Sequence, residues 1–156
     1  MGMMDSTLIG TLLTNFYKTS TATTFTPGTG GTAFAITLPY RLHLMTAIGS
    51  ETAAGTELAS GGGYTSGFNA TGGSSLGTTF AGTITTATFT NANAVSWSVA
   101  SGWATGSTIT SIEIYDSASS AVRHIWGALT ANISGVAIGD TISFGVASIT
   151  VNASNW

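Results

Sequence analysis

Apolar positions along the chain change their period after about the first thirty residues. Between Asp5 and Lys18, Leu8, Leu12, Leu13, Phe16 and Tyr17 recur at i, i+4, i+5, i+8 and i+9, which lines one face of a helix. Asp5 or Ser6 stands where a helix N-terminus needs a capping oxygen, and Lys18 suits the negative end of the helix dipole. A helix of about three turns is marginal alone in water, so it is expected to dock on its own domain or on a partner. Residues 19–32, TSTATTFTPGTGGT, read as an extended arm: Pro27-Gly28 and Gly30-Gly31 break any regular element, and Thr and Phe favour extended backbone.

From Ala33 the period becomes two. After Pro39, Tyr40, Leu42 and Leu44 alternate with Arg41, His43 and Met45. AVSWSV puts Val95, Trp97 and Val99 on one face, and STITSIEIYD sets Ile112 and Ile114 opposite Ile109, Glu113 and Tyr115. AVRHIWGAL alternates Val122, His124 and Trp126 against Arg123 and Ile125, and DTISFGVASITV is one more strand region. DSASSA, Asp116 to Ala121, is predicted to be a hairpin loop, and Ile138 to Asp140 a turn leading into the last strand. Short strands every 8–12 residues or so, with connections too short for helical crossovers, predict an all-β, antiparallel β-sandwich or Greek-key barrel. The expected organisation is a helix and arm over 1–32 and one β domain over 33–156, with no internal repeat.

Composition narrows what such a domain can bind. Of 156 residues only Lys18, Arg41 and Arg123 are basic; the acids are Asp5, Glu51, Glu57, Glu113, Asp116 and Asp140. Charged residues are 6% of the chain, against about 25% in ordinary globular proteins. Three scattered cations make no phosphate-binding patch, so nucleic acid is not an expected partner. A surface of Thr, Ser, Gly and Asn resists association poorly and is suited to being covered by other protein, a second copy included. Mean hydropathy is +0.37, yet no apolar run approaches the roughly 20 residues of a membrane span, and no membrane partner is expected. The first residues lack the basic and apolar regions of a secretory signal, which points to synthesis without a cleaved leader. With no cysteine, neither disulfides nor thiolate metal sites arise.

Candidate chemistry is sparse. His43 and His124 fall inside predicted strands, where a histidine is usually structural. No G-x-S-x-G elbow and no H-E-x-x-H spacing occurs. Glu51 with Glu57, or Glu113 with Asp116, could in principle form a carboxylate pair that cleaves glycosides. Glu113, Asp116 and Asp140 could supply oxygens to calcium, but nothing resembles an EF-hand loop. The glycine run in ELASGGGYTSG, residues 57–67, lacks the lysine and following helix of a phosphate loop, and reads as a turn that admits positive φ. The expectation is a protein that is not an enzyme, with no catalytic residue, no metal and no cofactor.

A series of landmarks in fixed order carries a resemblance. NFYKTS at the end of the helical stretch is followed by TP, YRLHLMTA, GTELASGGGY, NANAVSW, ASGWATGSTITSIEIYDSAS, IWGALTANISGVAIGDTISF and ASITV. Over residues 8–151 this resembles a family of small tailed-bacteriophage virion structural proteins whose members often carry the label "phage tail fiber protein". Three features depart from the family pattern: Thr65-Ser66 after Tyr64 in place of a basic residue, Ala104-Thr105 inserted after Trp103, and no glycine in the DSASSA turn. The resemblance implies a β-rich virion component without catalytic residues. A short chain without shaft repeats suits a capsid decoration (cement) protein, held on the major capsid protein as a homo-oligomer; the alternative is a tail- or fibre-associated module that binds the host surface. Aromatic residues are the usual anchors of such contacts. Among Tyr64, Trp97, Trp103, Tyr115, Trp126 and Trp156, the expected partner-interface residues are Tyr64, Trp103, Tyr115 and Trp156, with Gly62 beside them.

Overall fold

The computed structural model describes residues 24–25, 34–68, 72–77, 80–83, 88–104 and 106–152. The predicted N-terminal helix and Trp156 lie outside these residues. Within them the chain is all-β and every strand pairing is antiparallel. In the arm, β1 (Thr24–Phe25) pairs with β2 (Phe34–Ala35). The largest sheet runs in the order β10-β9-β3-β4, from β10 (Arg123–Ile133) through β9 (Ile109–Tyr115) and β3 (Tyr40–Ala47) to β4 (Thr56–Glu57); β5 (Ser74–Gly77) also pairs with β3. Of the remaining strands, β12 (Thr150–Asn152), β7 (Thr88–Asn91) and β6 (Phe80–Thr83) form one sheet, while β11 (Thr141–Phe144) pairs with β8 (Val95–Ser98).

The period-two pattern decides which faces meet. In the β3–β9 register, Leu42 lies opposite Ile114 and Leu44 opposite Ile112, and these side chains turn into the apolar core. Val95, Trp97 and Ile142 from the β8–β11 pair and Phe89 from β7 join the same cluster, so a single core unites the sheets. Each such side chain taken out of water contributes about 1.5–3 kcal/mol. The other face of β3 and β9 carries Arg41 opposite Tyr115, His43 opposite Glu113 and Met45 opposite Ser111. Alternation alone would leave this polar face in solvent. Instead His43, Met45, Ser111 and Glu113 are all fully buried.

Two strand expectations need correction. The alternation predicted for residues 122–126 breaks, because a register shift lies between Arg123 and Ile125. Arg123 pairs with Tyr115 and Trp126 with Glu113, so both lie on the polar face, and the Arg123 guanidinium sits 4.7 Å over the Trp126 ring. Ile125, opposite Ile114, keeps its place on the core face. The turn through Gly139 leads into β11 as expected, closed by the Asp140 N–H on the Ala137 carbonyl, but β11 is not the last strand. A second turn over 145–148 follows it. Asn91 holds that turn from inside: its Nδ2 donates to the Gly145 carbonyl at 2.8 Å, and its Oδ1 accepts from the Ile149 N–H at 2.9 Å.

DSASSA joins β9 and β10 as the expected hairpin loop, and Asp116 ties it. Its Oδ1 accepts from the Val122 N–H at 2.8 Å, closing DSASSA, and its Oδ2 accepts from the Thr37 N–H at 3.3 Å.

Candidate functional site

The glycine run is a two-residue turn. Gly61 and Tyr64 exchange both backbone hydrogen bonds, at 2.9 and 3.0 Å, around Gly62 (φ 56°) and Gly63 (φ 93°). Both central residues have positive φ, the geometry of a type I′ hairpin turn that glycine adopts without strain. Close packing demands glycine as well. A Cβ on Gly62 would lie 2.6 Å from both the Ala100 carbonyl oxygen and the Trp103 nitrogen, and one on Gly63 would lie 2.6 Å from the Ser98 carbonyl oxygen. The turn is thus pressed against the 98–103 segment, and the Ala100 N–H donates to the Gly62 carbonyl.

This turn aims Tyr64. Its ring enters the core beside Trp97 and Trp103, with centroids 6.0 and 6.2 Å away. Its hydroxyl donates to Glu57 Oε1 at 2.7 Å and accepts from the Leu44 N–H at 3.1 Å. Glu57 Oε1 also lies 2.7 Å from His43 Nδ1, and Oε2 accepts from the Gly67 N–H at 2.8 Å. Burial alone would push the Glu57 carboxyl up, but the bonds from His43, Tyr64 and Gly67 outweigh it and hold the group below its ordinary value. Burial and the neighbouring carboxylate raise the Tyr64 hydroxyl far above its usual range, so it stays a donor.

A second carboxylate anchors the other half of the loop. Glu113 Oε1 accepts from the Gly55 N–H at 2.8 Å and from Arg123 Nη1 at 3.0 Å, while Oε2 accepts from the Tyr115 hydroxyl at 2.7 Å. Burial and Glu113 together raise the Tyr115 hydroxyl as well. Arg123 then reaches the loop backbone, donating to the Ala53 carbonyl at 2.7 Å and to the Ser50 carbonyl. His43 and Tyr115 are 5.1 Å apart, and Phe68 stacks on Tyr115 at 4.4 Å, roofing both rings. The segment 49–68 is therefore clamped over the polar face of β3 and β9 by two carboxylates, Glu113 fully buried and Glu57 partly so. Their oxygens are occupied by backbone and side-chain donors. Among the described residues, no three His, Asp or Glu side chains stand close enough to hold a metal ion.

His124 is separate from this cluster. It packs edge-on to Tyr40 at 5.9 Å, with Nε2 4.0 Å from Asp116 Oδ2, and burial lowers its pKa against the pull of Asp116.

The expected partner residues are mostly inside. Tyr64 is 2% exposed, and Trp103 and Tyr115 are each 4% exposed, so these side chains have no apolar surface left to offer a partner. Gly62 is covered by 100–103. Among the described residues, the aromatic that the surface does present is Trp126 at 38% exposure, with Ile48, Val122, Ile138 and Val146 also exposed. Beside Trp126, on the core side of β10, opens a groove of about 650 Å³ lined by Ile125 and Leu129 of β10 and by Phe144, Ile149 and Val151 across it. Among the described charged residues only Glu51 and Asp140 are exposed; Glu57, Glu113, Asp116 and Arg123 are taken up by internal bonds. No family model, curated protein or solved structure matches the chain.

Proposed function

We propose that this chain is a structural protein of a tailed-bacteriophage virion, and that it works as a capsid decoration protein. In this reading its sheets form a two-layer β-sandwich. The domain is not an enzyme. It sits on the outer face of the capsid as a homo-oligomer and stabilises the lattice of the major capsid protein by binding only the assembled form. The ordered motifs of the sequence support the virion class. The observation that carries the assembly role is the placement of charge: the acids and the arginine that the fold uses are turned inward. Among the described residues, Glu51 and Asp140 apart, the outer surface is left to Thr, Ser, Gly and a few apolar side chains, which can be covered without stripping water from many ions.

The test is on particles. Virions lacking this chain should lose resistance to heat, and purified protein added back should restore it at a copy number near that of the major capsid protein. Particles equally robust without it, with no rebinding, would overturn the proposal. A copy number matching the cyclic symmetry of a tail would favour the host-binding tail module instead.

A further inference from the structure

The end of the largest sheet is unusually bare. β10 spans 11 residues, Arg123–Ile133, and among the described residues it pairs on one side only, with β9. An edge strand leaves a row of backbone donors and acceptors without strand partners, and proteins usually protect such edges with lysine, proline or a short length. β10 has neither lysine nor proline. Its one charge, Arg123, is folded back on Glu113 and the 50–53 backbone. Irregularities in its pairing lie between Arg123 and Ile125 and between Ala128 and Ile133, which leaves Ile125–Ala128 in regular register. Next to this stretch runs the apolar groove, and a Cβ on Gly127 would have nothing within 4 Å.

We propose that this edge is the self-association surface: β10 pairs antiparallel with β10 of a second copy about a two-fold axis. The inference deepens the homo-oligomer of the reading above and does not require the particle. The occupant follows from geometry and charge. A two-fold perpendicular to the sheet keeps the core faces of both sheets on the same side. The partner's core-facing Ile and Leu side chains of β10 therefore fall over the groove beside Phe144, Ile149 and Val151, and the exchange is reciprocal. An occupant strand must be nearly uncharged to lie in that groove, and β10 itself meets the condition between His124 and Ile133. With pairing centred on Gly127, Arg123 comes opposite Ala131. The two arginines are then separated by eight residues of rise, about 27 Å, well beyond the roughly 10 Å over which salt leaves charges in contact.

The experiment uses the full chain in solution, where no capsid is present. Wild type is expected to sediment as a dimer. Replacing two exposed edge residues, Ala128→Lys with Thr130→Lys, brings four like charges to the pairing and should weaken the dimer about a hundredfold, with thermal stability of the fold retained. Because the chain has no cysteine, single substitutions report position: Gly127→Cys, at the centre of the pairing, should form a disulfide to its own counterpart on oxidation, and Ser134→Cys, outside the strand, should not. A wild type that stays monomeric at every concentration overturns the proposal. So does a dimer that the lysines leave intact and that Gly127→Cys does not crosslink. Either result leaves the capsid reading standing, since that is judged by binding to particles.

Discussion

Removing one oxygen from Tyr64 separates a residue that holds the fold from one that meets a partner. In Tyr64→Phe the ring keeps its packing against Trp97 and Trp103, so no cavity opens in the core. Two hydrogen bonds vanish: the donation to the Glu57 carboxylate at 2.7 Å and the acceptance from the Leu44 N–H at 3.1 Å. A bond to a charged group is worth about 1.5–3 kcal/mol, and leaving a buried amide without an acceptor costs about 1–3 kcal/mol. At the middle of those ranges the sum is about 4 kcal/mol, which for a chain of this length lowers Tm by about 8–16 °C. Urea titration of both proteins measures it directly, with an unchanged m-value showing that compactness is preserved. Glu57 supplies a second readout. Its folded pKa is lowered partly by Tyr64, so the stability it contributes is present above the ordinary value of 4.5 and is lost as pH falls through the folded value. Without the hydroxyl that folded value rises, and the acid-side stability that Glu57 provides shrinks. A loss under about 1 kcal/mol, with partner binding impaired instead, would mean that the hydroxyl does not hold the fold, and would return Tyr64 to the surface role that its aromatic character suggests.

Three further outcomes follow from the same geometry. Gly62→Ala should cost more than the 1–2 kcal/mol or so of left-handed backbone, because its Cβ also meets the Ala100 oxygen at 2.6 Å; Gly106→Ala, at φ 82° with open space around it, should cost only the backbone part, as thermal denaturation of the pair would show. Arg123→Ala leaves Glu113 buried without its cation and should destabilise by about 3–5 kcal/mol, and adding Glu113→Gln, which still accepts from Gly55 or Tyr115, should recover part of that loss in a urea titration. The pKa of His124 is depressed by burial, so below its ordinary 6.5 the unfolded chain takes the proton first; stability should be full above that pH and decline as pH falls from it, and His124→Phe should flatten the decline in Tm measured between about pH 7 and 5.

What the sequence reveals is what depends on neighbours along the chain. The faces of β3 and β8 follow from alternation, as does that of β9 except at Ile109, which alternation sets beside Glu113 but which packs in the core with Ile114, and the Gly62-Gly63 turn follows from glycines before an aromatic strand. The bury-or-expose decision for the second face of β3 and β9 does not. His43 and Glu113 alternate like solvent-facing residues, and only the return of segment 49–68 closes over them. Glu57 and Glu113 are visible as acids, but their ligands include the Gly67 and Gly55 amides and the Arg123 side chain, which no spacing rule brings together. The shift after Arg123 is equally silent, since one extra residue in a strand leaves composition unchanged while swapping every later side chain to the other face. Aromatic residues are ambiguous for a different reason: large rings serve cores and interfaces alike. Tyr64, Trp103 and Tyr115 went to the core, and Trp126 stayed outside only because its polar-face position lies on an edge strand.

The two halves of the design constrain each other. A loop as long as 49–68, rich in Gly, Ser and Thr, sends Leu58 and Tyr64 into the core, few side chains with which to hold its whole length against a sheet. The Glu57 and Glu113 carboxylates add to that hold, because each can bind several backbone and side-chain donors at once, and a charge-assisted bond is roughly twice as strong as a neutral one. Using acids and an arginine this way removes them from the outside, where they would otherwise keep copies apart. Among the described residues, β10 is then a long edge strand without the charges that normally guard one. A protein that had to remain dispersed would pay for both choices in aggregation. One that is covered in use gains from them, since the surface to be buried is already poor in ions and the fold beneath it does not depend on the partner for its locks.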